Sequence, residues 1–242
     1  MKRRLWMGAV AAFVLILLVR FPAQWAAGAL PRDAHCEQLD GTLWSGSCSG
    51  LSAQGSRLGD LTWSLHPLRL LSGRLALDLS LTQPATTSGA SAHVEWSLAG
   101  TLSARDVHAA LVLDHTLLRQ LPPSLHARLD AQLAALRWDG KRVIELQGQM
   151  EVRGLTADQN TPLGDYRVSF SGGPGDPVGA LKDIGGPLAV EGTLRLTPEP
   201  GYVVAGLVAA RPSAPADLAQ QIRYLGSPDA QGRRPFSFAG TF

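Results

Sequence analysis

Cys36 and Cys48 are the two cysteines of the chain, and Glu37 to Ser47 lie between them. In an oxidising compartment two thiols this close most simply form a bridge, worth about 2–3 kcal/mol for a loop of this length. The chemical alternative is Gly46-Ser47-Cys48-Ser49-Gly50, the outline of a nucleophile elbow with cysteine in the attacking position. An elbow needs a strand-to-helix turn and a supporting base and acid, and no helical pattern follows Gly50. The bridge is therefore the expectation. His35, His66, His93, His108, His115 and His126 are scattered, with no HExxH and no pair at zinc-ligand spacing. His66, before Pro67, reads as a turn residue, and His108 as an outward strand position. Gly172-Gly173-Pro174-Gly175 lacks the following Lys-Ser/Thr of a phosphate loop. Trp44, Trp63, Trp96 and Trp138 could stack on sugars or bases, but beside Leu and Val on strand rows they read as core. The expectation is no catalytic residue, no metal ligand and no cofactor, hence no enzyme.

The elements around these residues announce themselves by period-two alternation, broken by Gly, Pro and Ser clusters. Leu61, Trp63 and Leu65 form one row, and Leu75, Leu77, Leu79 and Leu81 the next. Val94, Trp96 and Leu98 follow, then Val107, Ala109, Leu111 and Leu113. The row Ile144, Leu146, Gly148, Met150 and Val152 alternates with Glu145, Gln147, Gln149, Glu151 and Arg153. Tyr166, Val168 and Phe170, then Leu188 to Leu196, then Tyr202–Ala210, continue the pattern. Phe236, Phe238 and Phe242 share one face of a closing strand, where all three rings are expected to pack. Many short one-sided strands predict an antiparallel sheet with one covered face. Leu125–Leu136 alternates but also carries a helical stripe, and it is read as strand because its neighbours are strands. Pro215–Leu225 predicts a helix, and Asp114–Leu121 a shorter helical turn. Thr82–Ala92 and Ser171–Pro177 read as loops.

Composition narrows the class and the compartment. Charged residues make up 17% of the 242 and apolar ones 45%, which excludes a charge-rich disordered chain and a coiled coil. Lys2, Arg3, Arg4 and Arg20 carry the early basic charge; without them 18 basic residues face 20 acidic ones. That body lacks the basic footprint of a nucleic-acid binder. Leu5–Val19 is free of charge and follows Lys2-Arg3-Arg4. Fifteen residues span about 22 Å as a helix, and the apolar residues from Phe21 to Leu30 extend the run toward the ~30 Å hydrocarbon core. The positive-inside rule leaves the first residues in the cytoplasm and exports the body. Ala27-Gly28-Ala29 also has the small-x-small form of a signal-peptide cleavage site. An uncleaved anchor is the preferred reading, and both readings export the body. Residues 1–30 thus form a cytoplasmic stub and a single transmembrane anchor (or signal peptide). Residues 31–242 form a β domain, with 171–187 as a candidate division between two halves.

The ordered phrases Gly41-Thr42-Leu43-Trp44-Ser45-Gly46-Ser47-Cys48, Leu61-Thr62-Trp63-Ser64-Leu65-His66-Pro67 and Leu70-Leu71-Ser72-Gly73 follow the N-terminal apolar segment. Together with Leu225-Gly226-Ser227-Pro228-Asp229 and the closing Phe238-Ala239-Gly240-Thr241-Phe242, they resemble the N component of the type II (general) secretion system of Gram-negative bacteria. Gly41, Thr42, Leu43, Trp44, Trp63, Pro67 and Gly73 carry that likeness. The resemblance implies an inner-membrane protein with a periplasmic domain, accessory to the export of folded proteins across the outer membrane. Its partners would be other secretion proteins of the inner membrane and periplasm. The family is also similar to AsmA-like proteins, whose curved sheets have an apolar groove associated with lipid. This implies a curved or partly rolled sheet, and phospholipid as the alternative partner. No catalytic residue comes with the resemblance.

Overall fold

Alternating side chains can satisfy their backbone only by pairing, and strand after strand does so. A computed structural model describes residues 20–24, 34–53, 56–83, 88–113, 125–157, 161–173, 175–198 and 201–241. The apolar run Leu5–Val19, the Ala27-Gly28-Ala29 site, the Asp114–Leu121 turn and Phe242 lie outside the described residues. Among the described residues no helix is long and apolar enough to cross a membrane.

The first strands are β1 (Ala34–His35), β2 (Gln38–Gly41), β3 (Ser45–Ala53), β4 (Ser56–Leu65) and β5 (Arg74–Thr82). Then come β6 (Gly89–Ser97), β7 (Leu102–Leu113), β8 (His126–Trp138), β9 (Val143–Thr156) and β10 (Pro162–Ser171). The last are β11 (Val178–Gly185), β12 (Leu188–Thr197), β13 (Gly201–Ala210) and β14 (Arg234–Thr241). Among the described residues two helices interrupt them, α1 (Pro67–Leu70) and α2 (Ala216–Ile222). From β3 to β14 each strand pairs antiparallel with its chain neighbour, while β1 and β2 form an interrupted edge along β3. The sheet is open, with β14 paired to β13 alone.

Register builds a single apolar row across the sheet. Leu39, Cys48, Leu61 and Leu81 are successive cross-strand partners. The row continues through Ala90, Ala109 and Ala131 to Met150, Val168 and Leu181. Gly192, Gly206 and Phe236 complete it. Cross-strand neighbours on one face are the unit that stabilises a sheet, so this row explains the pairing order better than any strand's propensity. Toward the C-terminal end the sheet curls. Cα atoms of β10 and β12 come within 8 Å, whereas next-nearest strands of a flat sheet lie about 9.6 Å apart. Gly179 on β11 leaves room for its neighbours on β10: a Cβ there would stand 2.5 Å from Val168 Cγ1 and 2.8 Å from the Phe170 ring. Phe170 lies over that bare backbone, and with Leu133 and Leu146 it forms a buried cluster against which Leu194 and Leu196 of β12 pack.

Leu125–Leu136 is strand from His126 on, within β8, with Ala127, Ala131 and Leu133 buried; Pro215–Leu225 holds the helix α2. Five readings need correction, the first being Trp96, expected as core but 47% exposed near the end of β6. Thr82–Ala92 is not all loop, because β6 begins at Gly89. Leu98 is not on the covered row but 90% exposed, because β6 ends at Ser97 and a turn turns it outward. β3 and β11 were not anticipated: SGSCSGLSA and VGALKDIG are weak strand formers alone, and their neighbours impose extended structure.

Candidate functional site

α2 covers the apolar face where the sheet curls. Pro215 starts it, Asp217 sits in its first turn, and Leu218 and Ile222 lie one turn apart on its buried side. Those two pack on Leu188, Val190 and Val208. Between helix and sheet is a cavity of about 580 Å³ lined by residues of β9 to β14 and α2. Tyr166 and Gln221 are the only polar side chains in the lining. The Tyr166 hydroxyl donates to the Leu163 carbonyl at 2.6 Å, and burial pushes the phenol up to about 12, with the Asp183 charge adding to the effect. Phe238, Leu225 and Gln221 are the exposed members of the lining and mark its mouth. The arrangement can hold an apolar body.

The C-terminal strand needs a correction. Phe236 and Phe238 stack, with ring centroids 5.9 Å apart, and Phe236 joins the core around α2. Phe238, opposite Val204, is 55% exposed and is not packed away. The trough runs out at β14, the last strand of the sheet, which leaves that ring at its rim. Phe242 lies outside the described residues.

Cys36 and Cys48 form the expected disulfide. Cys48 lies mid-strand in β3, not at a strand-to-helix turn, so the elbow is excluded. The phrases singled out in the sequence assemble around it. The Trp63 indole lies over Gly46 of β3, where a Cβ would meet the ring at 2.4 Å, and its Nε1 donates to the Leu43 carbonyl at 3.2 Å. Ser45 N–H donates to Thr42 Oγ1 at 3.2 Å, and Leu65 N–H to the Trp44 carbonyl at 2.6 Å. Gly41 and Gly73 carry positive φ, and Pro67 opens α1. These residues build the turns at one end of the sheet.

The polar face brings together what chain order separates. Asp78 on β5 stands directly opposite His93 on β6, and His66 precedes α1. Asp78 Oδ1 meets His93 Nδ1 at 2.6 Å, and Oδ2 meets His66 Nε2 at 2.7 Å. The bonds to His93 and then His66 hold the Asp78 carboxyl below the usual carboxylate range. His66 is the expected turn residue, but spacing along the chain gave no sign of its pairing with His93. Register alone makes that meeting. Farther along, Glu151 accepts from Arg153 at 2.5 Å and from the Arg167 Nε at 2.7 Å. Bonding to Arg153 first and Arg167 second lowers the Glu151 carboxyl.

A family model described as Type II secretion system (T2SS), protein N matches residues 34–237. The chain belongs to that family. Three relatives named "Type II secretion system protein N" align over nearly its whole length. That of Aeromonas hydrophila is 30% identical and that of Vibrio cholerae 27%, each with 99% of both chains covered. That of Klebsiella pneumoniae is 28% identical, covering 99% of this chain and 97% of its own. No solved structure matches significantly. The family match takes in the trough except Phe238, the disulfide and the histidine pair, and it ends inside β14.

Proposed function

We propose that this type II secretion component works by binding, without chemistry of its own. In this reading residues 1–30 tether it to the inner membrane, and residues 31–242 stand in the periplasm among other secretion proteins. The apolar trough between α2 and β9–β14 then takes an acyl chain, as in a phospholipid-binding domain. The cavity carries the reading: its volume lies inside the ~300–1,000 Å³ range of ligand sites, and its lining is apolar but for Tyr166 and Gln221. A lining of that kind left to water is unfavourable at roughly 25 cal/mol per Å², which an acyl chain relieves. Native mass spectrometry of the full chain extracted from membranes tests it. A stoichiometric phospholipid is the expected result, and a lipid-free protein sinks the trough reading.

The free edge of β14 favours a second reading, docking of a secretion protein by strand addition. Crosslinking from positions in β14 in intact cells should then yield adducts with other secretion proteins. Their absence leaves the edge without that role.

A further inference from the structure

We infer that His66, Asp78 and His93 form a divalent transition-metal site, best suited to Zn²⁺, on the polar face of the sheet. This does not rest on the lipid reading, since the site lies on the other face. One ligand atom from each residue, His66 Nε2, a carboxylate oxygen of Asp78 and His93 Nδ1, falls within 4.8 Å of the others. Two imidazoles and one carboxylate are a donor set that suits zinc, and three protein ligands leave a coordination position for water or a small ligand.

The elements hold the donors in place. Asp78 and His93 are direct cross-strand partners on β5 and β6, and their ladder fixes the spacing. His66 is fixed from the other side, because its N–H donates to the Ala76 carbonyl at 2.8 Å and Pro67 starts α1 immediately after it. The two imidazole rings have centroids 5.8 Å apart. A metal between them would replace the hydrogen bonds to Asp78 with coordination while the backbone stays where it is.

His93 also has the outer partner that metal-bound histidines usually possess. With Nδ1 turned to the metal, the proton stays on Nε2, which faces Glu95 Oε1 at 3.5 Å. Glu95 is 5% exposed, and Arg74 and Arg105 flank its other oxygen at 3.8 and 3.6 Å. Those arginines balance the Glu95 charge, so Glu95 orients the ring and does not compete for the ion. A hollow of about 760 Å³ lies beside the site, lined in part by Asp78, His93, Asp106 and His108. Asp106, at φ 50°, is the only non-glycine with positive φ among the described residues. It lies at the β6–β7 bulge that sets His93 opposite Arg105 and Ser91 opposite His108.

The test uses the full chain in detergent, stripped with EDTA and titrated with Zn²⁺ against a chromophoric chelator. One tight equivalent is expected, with Co²⁺ in its place giving the intense visible bands of a low-symmetry site. The melting temperature should rise with metal. The paired variant His66→Ala/His93→Ala should lose that equivalent, and Glu95→Gln should weaken it about 10–100-fold, the usual effect of removing an outer partner. A wild-type protein with no tight equivalent overturns the proposal. So does a paired variant that binds Zn²⁺ as tightly as wild type, because another histidine set would then be responsible. The wild-type titration decides the first of these even if a variant fails to fold.

Discussion

Phe238 and Glu151 point to opposite faces of one sheet, and changing them should have opposite kinds of consequence. Removing a buried Phe costs about 3–5 kcal/mol, but Phe238 keeps more than half its surface in water. Phe238→Ala should therefore cost about 1 kcal/mol, or roughly 2–4 °C for a domain of this size. Bound phospholipid should fall far more than stability, because the ring stands at the mouth of the trough. A collapse of the melting curve without a lipid effect would reverse that assignment. Glu151 acts through charge. Its folded carboxyl lies below the unfolded value of 4.5, so the unfolded chain binds its proton first as pH falls. The contribution is complete above the unfolded value and disappears as pH drops through the lowered folded one. Urea unfolding of Glu151→Gln should thus show a deficit at neutral pH that closes in acid. A deficit independent of pH would mean that shape, and not ionisation, is what matters there.

Among the elements, the N-terminal edge is the one that depends on a covalent bond. β1 and β2 are two and four residues long, too short to hold themselves against β3 by ladder bonds alone. The Cys36–Cys48 bridge joins the stretch between them to the middle of β3. Cys36→Ser and Cys48→Ser should each cost about 2–3 kcal/mol, and the double variant no more than either alone. Clearly additive losses in denaturant titration would show that the two side chains act separately. At the other edge β14 is eight residues long and has no such clamp. It is covered instead by what the register gives it: Phe236 reaches the α2 core.

For the molecule as a whole, one face is apolar from edge to edge and the other is charged, and curvature turns the apolar face into a container. Filling a container of fixed size has a measurable signature. Each methylene moved from water into an apolar site is worth about 0.8 kcal/mol, close to fourfold in affinity. Lysophospholipids of increasing acyl length should therefore bind the full chain about fourfold more tightly per methylene, up to a length at which the gain stops. A flat dependence on length would argue that the headgroup, or nothing specific, is being recognised. The polar face is a separate matter, and its histidine pair should be indifferent to acyl length.

Alternation was enough to read the antiparallel sheet and most of its covered rows, because which face a side chain takes is a local property with a period of two; Leu125–Leu136 needed its strand neighbours to decide it, and Pro215–Leu225 was legible as helix by its lack of alternation between Pro215 and Gly226. The disulfide was legible for a similar reason, since Cys36 and Cys48 are close in the chain. Other features are properties of pairing. β3 and β11 are strands because their neighbours leave no alternative, and Phe238 is exposed because the sheet ends beside it. His66, Asp78 and His93 span 28 positions of sequence and meet because α1 and the β5–β6 ladder bring them to one point. Whether an apolar row becomes a closed core or an open trough depends on how far the sheet curls and where α2 lies on it. Only the three-dimensional packing of distant strands decides that.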